Sequence, residues 1–380
     1  MVIHNNIKVT LLLYILFNHK YNLTKMAKSH ENSETDNNDR YVGKGYTGLV
    51  NLGNTCFLNS CIQVLSHSYE LNEYLETQKC SRLIKQEDAV PDVVILNEWN
   101  NLRNVMWSQN GIVSPNRFVH HVQQLAMKKG RDLFTGWAQN DLPEFLLFMI
   151  DSIHNSISRP VTMKILGTTQ NNMDILATEC YKMLQQTYSR EYSEIMEMFY
   201  GIYVSQIMDM EQIKVHSAKP ETFFMLDLEI PHANASLYDC LDAFTKYETM
   251  EGDNAWFNEK TGQKESVKKQ ITFWNFPKIL VITLKRFTGD GSRKKQDLID
   301  FPFESLDLSK YVSGYNAKQY IYDLYGVCNH SGGPMGGHYT AFVKNSSGEW
   351  IHYNDSNVEK GVTEKHIVTP RAYCLFYRKK

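Results

Sequence analysis

The chain reads as an α+β protein, with a helical N-terminal half and a β-rich C-terminal half that enclose a cleft. Three observations carry that reading. From Tyr46 to about His154 the apolar residues recur at helical spacing. From Gly201 onward they fall into short runs separated by Gly, Asn, Asp and Ser, the pattern of antiparallel strands joined by loops. One cysteine, Cys56, sits in the first half where a turn rich in Asn and Gly runs into a helix.

Size and balance fit a soluble globular protein: 380 residues, 42% hydrophobic and 22% charged, enough for roughly two or three domains' worth of core. A net charge of −2 gives no case for nucleic acid or an anionic membrane as partner. The cysteines at 56, 61, 80, 180, 240, 328 and 374 form no C-x-x-C pair, which suits a reducing compartment better than a disulfide framework or a cysteine-rich zinc site.

The first 45 residues are expected to be a disordered or dispensable extension. The apolar run Val9–Phe17 is too short to span a bilayer and reads as a signal-peptide core or a buried segment. A polar stretch follows from Asn18 to Arg40, and Met26 within it is an alternative translation start. A secretory route conflicts with a cysteine that must stay reduced.

In the stretch GLVNLGNTCFLNSCIQVL, Phe57, Cys61, Val64 and Leu65 recur on one helical face after Cys56. Asn54 and Thr55 are candidate caps, so Cys56 falls in the first turn, where unpaired N–H groups and the helix dipole are expected to lower a thiol pKa. Phe118, Val122 and Leu125 share a face in a later helix, and Asp141 is placed to cap another, running from Pro143 through Phe145, Leu146, Phe148, Met149 and Ile153. Residues 155–200 read as a connector or insertion with helical pieces such as Ile175–Thr187.

Strands are expected at Ile202–Ile207, Thr222–Ile230, Ile279–Leu284, Tyr320–Val327, Tyr339–Val343 and Trp350–Tyr353, with a short helix at Leu237–Phe244. Within NHSGGPMGGHYTAFV, Gly336 and Gly337 permit close backbone approach just before His338, at a loop-to-strand junction. Asn354 and Asp355 follow a strand, and a side-chain carbonyl there can accept the Nδ1–H of His338, leaving Nε2 to face the thiol. Asn51, five residues before Cys56, is a candidate donor to an oxyanion. Each residue also has a bland reading: a buried structural cysteine, a packed histidine, an Asn-Asp turn after a strand, a turn-stabilising asparagine.

With these residues in hand, the chain closely resembles the ubiquitin-specific protease family of deubiquitinating enzymes. The likeness runs from about Tyr46 to Tyr377. It rests on the cysteine and histidine boxes, supported by QNDLPEFL at 139–146, ETFFMLDLEI at 221–230, GDN at 252–254, FPKILVITLKRF at 276–287, IDFPFESLDL at 299–308 and AYCLFY at 372–377. The resemblance implies a papain-like fold with a helical thumb at 46–154, then β fingers and a β palm at 201–378. It makes Cys56 the nucleophile, His338 the general base, Asn354 the residue that orients the histidine, Asp355 its assistant or alternative, and Asn51 the oxyanion donor. Asp141 matches an acidic residue that binds an arginine of ubiquitin's tail, with Glu144 as a second candidate. Gly336, Gly337 and Tyr339 fall where the family closes a narrow channel over the tail's two glycines, and the loop Ser331–Met335 is expected to move to admit it.

The sequence departs from the family pattern in two places. The finger region lacks the paired C-x-x-C thiolates that bind zinc in many members, so no metal and no cofactor are expected. Leu142 and Pro143 stand in the box around Asp141 and bear on helix entry there. The implied partners are ubiquitin and ubiquitinated proteins, with no nucleic acid and no stable membrane association, for an intracellular monomer. Two other readings stay open: a catalytically silent ubiquitin-binding module, and a hydrolase of another ubiquitin-like modifier. No H-E-x-x-H cluster supports a metalloprotease.

Overall fold

The computed structural model of the protein describes residues 11–16, 38–333 and 336–380. The helical half comprises Cys56–Ser66, Tyr69–Leu75, Gln78–Ser81, Val93–Ser108, Asn116–Lys128 and Leu142–Ile157. One small parallel pair, Thr47–Leu49 with Gly111–Val113, completes it. The helix Cys56–Ser66 is buried along its whole length, because it lies between the other helices and the main sheet. Two of its polar side chains bond to neighbouring backbone: Gln63 Nε2 donates to Thr47 O at 2.8 Å, and Ser66 Oγ to Gln63 O at 2.9 Å.

The main sheet runs in the order Asn357–Val362, Trp350–Asn354, Gly336–Lys344, Ile321–Gly333, Ala372–Lys379, Ile279–Leu284 and Met225–Leu228. The short strand Leu306–Asp307 also pairs with Ile321–Gly333. Only the last neighbours, Ile279–Leu284 and Met225–Leu228, are parallel. Ile279–Leu284 is apolar at every position but Thr283 and buried throughout, because both faces are covered. Ile279 and Val281 join the core shared with the helices, while Leu280, Ile282 and Leu284 join a second core behind the sheet with Leu237 and Leu241 of the helix Leu237–Thr245. Gly326 lets the cysteine helix approach, since a Cβ there would lie 2.6 Å from Val64 Cγ1.

A separate four-stranded sheet, ordered Val215–Phe223, Gly201–Met208, Val267–Asn275 and Glu248–Met250, forms the fingers. The stretch expected as one strand from Thr222 to Ile230 divides here between two sheets, Val215–Phe223 in the fingers and Met225–Leu228 in the palm. Turn chemistry holds the finger ends. Asp209 accepts from the backbone of Ile213 at 2.8 Å and Lys214 at 3.0 Å, and Glu265 accepts from Asn258 at 2.8 Å and Thr261 at 2.7 Å. Among the described residues no group of three or more His, Cys, Asp or Glu side chains could hold a metal ion.

The N-terminal reading is corrected in part. Leu11–Leu16, within the apolar run read as a signal-peptide core or a buried segment and within the extension expected to be disordered or dispensable, is a strand paired antiparallel with Thr162–Gly167. The folded core also begins before Tyr46. Tyr41 is buried, stacks on Tyr69 at 4.3 Å and meets the edge of Trp107 at 4.9 Å. Arg40 and Arg103 each bind Glu76 at 2.6 Å. The rest of residues 1–37, Met26 included, lies outside the described residues. The expected connector at 155–200 holds the helices Asn172–Tyr188 and Glu194–Phe199. All seven cysteines are free and buried, and among the described residues no helix is long and apolar enough to cross a membrane.

Candidate active site

The turn before Cys56 is built around one amide. Asn51 Oδ1 accepts from the backbone of Gly53 at 2.9 Å and of Thr55 at 3.2 Å, and Gly53 and Asn54 take left-handed conformations at φ +101° and +55°. Thr55 occupies the cap position, but its hydroxyl accepts from Leu52 N at 2.9 Å and makes no cap bond to the helix. Cys56 is then the first residue of the helix, 3% exposed. Its first-turn N–H groups therefore remain available to an anion.

The expected depression of the Cys56 pKa is not found in this state. Burial pushes the thiol up and the Asp355 charge adds to it, outweighing the N–H groups of Tyr339, Phe57 and Cys56 itself that face the sulfur. The sequence located the helix start but not the desolvation. Contact with the Tyr339 backbone places the sulfur one residue along the chain from His338.

His338 bonds to Asn354 through Nε2, with the Asn354 Oδ1 at 2.7 Å. This reverses the ring assignment drawn from the sequence: Nε2, not Nδ1, takes the amide, so Nδ1 is the nitrogen left for the thiol. Sequence spacing carries no information about which edge of an imidazole meets which neighbour.

Asp355 makes different bonds from its neighbour. With φ +51° it turns its carboxylate away along the turn, where Oδ2 accepts from Asn51 Nδ2 at 2.9 Å and Oδ1 from Asn59 Nδ2 at 2.7 Å. Its backbone carbonyl accepts from Leu49 N at 2.9 Å. Gly48 makes this approach feasible, because a Cβ there would lie 2.4 Å from Ser356 O. Asp355 thus joins the end of the sheet to the cysteine turn and fixes the amide of Asn51.

Asp141 stands at the cap position of Leu142–Ile157, with Pro143 inside the first turn, but its side chain makes no cap bond. It accepts instead from Tyr339 Oη at 2.8 Å and Tyr373 Oη at 3.1 Å, bridging the two halves. Burial raises its pKa despite those donors. Asp141, Tyr373, Phe224, Met225, Leu147 and Asp227 line a cavity of about 340 Å³, apolar with two carboxylates, a lining suited to a cationic side chain with an aliphatic stem. Glu144 lies on the exposed face of the helix and does not line this cavity.

Gly336 and Gly337 belong to the hairpin formed by Ile321–Gly333 and Gly336–Lys344, opposite Gly333 and Gly332. Of the loop expected to move, Ser331–Gly333 is paired strand and residues 334 and 335 lie outside the described residues. Sequence reasoning missed Asn59, Gln139, Asp227 and Tyr373 as members of the site. All four lie in stretches that carry the resemblance, yet no local pattern sets them apart from ordinary helix, loop and strand residues.

Comparison with known proteins bears on this geometry. The family model for ubiquitin carboxyl-terminal hydrolase matches residues 47–377. Ubiquitin carboxyl-terminal hydrolase 2 of Homo sapiens is 34% identical over 353 residues, which cover 88% of this chain and 55% of that protein. Ubiquitin carboxyl-terminal hydrolase 2 of Gallus gallus is 34% identical over 349 residues, covering 88% of this chain and 94% of its own. The chain thus spans about half the length of several curated relatives it matches, the human one included. Among solved structures, a SAGA DUB module bound to ubiquitin aldehyde superposes with a TM-score of 0.68 at 27% identity, over 89% of this chain and 70% of that one. The fold is therefore the papain-like one, and the chain belongs to the ubiquitin carboxyl-terminal hydrolase family.

Proposed function

We propose that the protein is a thiol-dependent deubiquitinating enzyme that hydrolyses the bond after the C-terminal glycine of ubiquitin. The observation that carries the proposal is the His338–Asn354 pair at 2.7 Å, one residue from the backbone that touches the Cys56 sulfur. This neighbourhood supports reading Cys56, His338 and Asn354 as the nucleophile, base and orienting group of a cysteine hydrolase.

In the reaction Nδ1 of His338 takes the Cys56 proton as sulfur attacks the carbonyl carbon. Asn354 holds the ring by accepting the Nε2–H, which fixes the tautomer that leaves Nδ1 free to do so. The oxyanion meets the Asn51 amide and the N–H groups at the start of the helix. Collapse breaks the C–N bond, and the imidazolium gives its proton to the leaving amine. Water, deprotonated by His338, then cleaves the thioester and restores the thiol. Because burial raises the resting thiol, the proton passes to the imidazole as the C–S bond forms, with no free thiolate accumulating beforehand.

Ubiquitin and its conjugates are the proposed partners, supported by the family relation and by the ubiquitin aldehyde in a similar solved structure. The cavity beside Asp141 is the proposed seat of a tail arginine. Seven free cysteines, the proposed nucleophile Cys56 among them, support an intracellular setting.

The test is release of a fluorophore from the ubiquitin C-terminus, with reductant, comparing the protein with Cys56→Ala and with and without a chelator. Turnover that needs Cys56 and ignores the chelator is expected. Absence of turnover from folded protein, together with no reaction with an electrophilic ubiquitin probe, would move the assignment to a silent binding module. Preferential cleavage of a related modifier would overturn the substrate.

A further inference from the structure

The strand Gly336–Lys344 that carries His338 is paired unequally on its two edges. Towards Ile321–Gly333 the register runs from Gly336 to Val343, but towards Trp350–Asn354 it begins only at Ala341. At Gly337, the residue before His338, no strand among the described residues pairs with the second edge. Gln139 fills that place. Its Oε1 accepts from Gly337 N at 2.7 Å, and its Nε2 donates to Gly337 O at 2.9 Å. A primary amide thus supplies the donor and acceptor that a neighbouring strand would offer.

Gln139 comes from the helical half, in the segment before Leu142–Ile157. Its Nε2 also approaches Asn54 Oδ1 at 3.5 Å, and Asn54, two residues before Cys56, donates to Trp137 O at 2.9 Å. One side chain therefore lies between the turn that presents the nucleophile and the residue that precedes the base.

The hairpin needs an external support. Gly332, Gly333, Gly336 and Gly337 leave its backbone unusually free. A side chain cannot stiffen it at Gly337, where a Cβ would lie 2.2 Å from His330 Nε2 and 2.3 Å from Ser331 O. Asn354 fixes the rotation of the His338 ring, but it does not hold the backbone from which the ring projects.

We propose that Gln139 is a positioning residue that acts as a one-residue strand, holding the histidine hairpin at the distance and register from the cysteine turn that proton transfer requires. The inference rests on the proposed hydrolase reading and specifies how its base is placed. Gln139 need not touch substrate; it acts through Gly337.

The test uses Gln139→Ala, Gln139→Leu and Gln139→Glu in the full chain. A displaced base should lower kcat by about tenfold or more, with KM changed less than about threefold. The Glu variant is the discriminating one. Its carboxylate can only accept, from Gly337 N–H, whereas its protonated form can also donate to Gly337 O. Its kcat relative to the unsubstituted protein should therefore climb as pH falls from about 8 to about 5, while the Leu variant stays low throughout. Two readings independent of ubiquitin accompany these: the rate at which iodoacetamide alkylates Cys56, expected to fall in the Ala variant, and amide exchange in the peptide containing Gly337, expected to quicken. Kcat and alkylation within twofold of the unsubstituted protein in Gln139→Ala would overturn the proposal. So would a relative activity of Gln139→Glu that is flat with pH, or losses that only follow a lowered melting temperature in all three variants. If the unsubstituted protein cleaves no ubiquitin substrate, the hydrolase reading fails by itself, and the exchange and alkylation data still decide the role of Gln139.

Discussion

Asp355 accepts the side-chain N–H of Asn51 at 2.9 Å, although 304 residues separate them in the chain. The carboxylate beside the histidine's partner therefore serves the other half of the site. Removing it takes away the bond that orients the Asn51 N–H group proposed to meet the oxyanion. Asp355→Ala is expected to lower kcat by about 10²-fold, in the range for loss of one oxyanion donor, and Asn51→Ala to do the same. Because both act through one amide, the double variant should be little worse than either single one. Fully additive losses in steady-state kinetics would separate the two residues.

Asn354 and Asp355 are distinguished by a reaction without an oxyanion. Alkylation of Cys56 by iodoacetamide needs the thiolate but passes through no tetrahedral intermediate. Asn354→Ala, which releases the His338 ring, should slow both alkylation and ubiquitin turnover by about tenfold or more, within the usual contribution of a positioned base. Asp355→Ala should slow turnover alone. Equal effects of the two substitutions on alkylation would refute this division.

Asp141 is expected to govern affinity. Loss of a charge-assisted contact worth about 1.5–3 kcal/mol corresponds to roughly a 10- to 100-fold rise in KM for Asp141→Asn, with kcat largely kept. Burial raises the pKa of this carboxyl, so its neutral form persists to higher pH than in an ordinary aspartate. KM should accordingly begin to climb as pH falls, before exposed carboxylates protonate, and Asp141→Asn should lack that climb. A KM profile identical in the two proteins would rule the carboxylate out as the cation's seat.

Glu194 ties the helical half to the connector. Burial opposes its charge, but Arg159 at 2.8 and 3.0 Å, Lys79 at 2.7 Å and Tyr74 at 2.7 Å outweigh that and bring its pKa down to about 2. A depressed acid stabilises the fold above its unfolded value and loses that contribution as pH falls through the folded one. Stability on the order of 3 kcal/mol should thus disappear between about pH 4.5 and 2. Glu194→Gln should be less stable at neutral pH and show a shallower acid transition in chemical denaturation; parallel acid profiles would contradict it.

Much of this architecture was legible because patterning and burial coincide. Ile279–Leu284 is apolar at every position but Thr283, and it forms a strand at those limits. The cysteine helix and the hairpin before His338 were also readable, from a run of apolar spacing and a cluster of glycines. What could not be read depends on contacts made across the fold. The Cys56 pKa follows from how deeply the helix is buried, the His338 tautomer from where Asn354 comes to rest, and the Asp355–Asn51 bond from a turn meeting a turn. Tyr41 escaped notice because a single aromatic in a polar stretch gains a partner only when Tyr69 and Trp107 are brought to it.

The strand Ala372–Lys379 lies between Ile321–Gly333 and Ile279–Leu284, inside the main sheet, and Cys56 and His338 are both synthesised before it. Without that segment the sheet would have a gap beside the hairpin that carries His338. Such non-local pairing makes assembly slow and late. The strand order thus makes the pairing around the His338 hairpin depend on the strand that comes latest among those of the main sheet, a dependence that comes from topology alone.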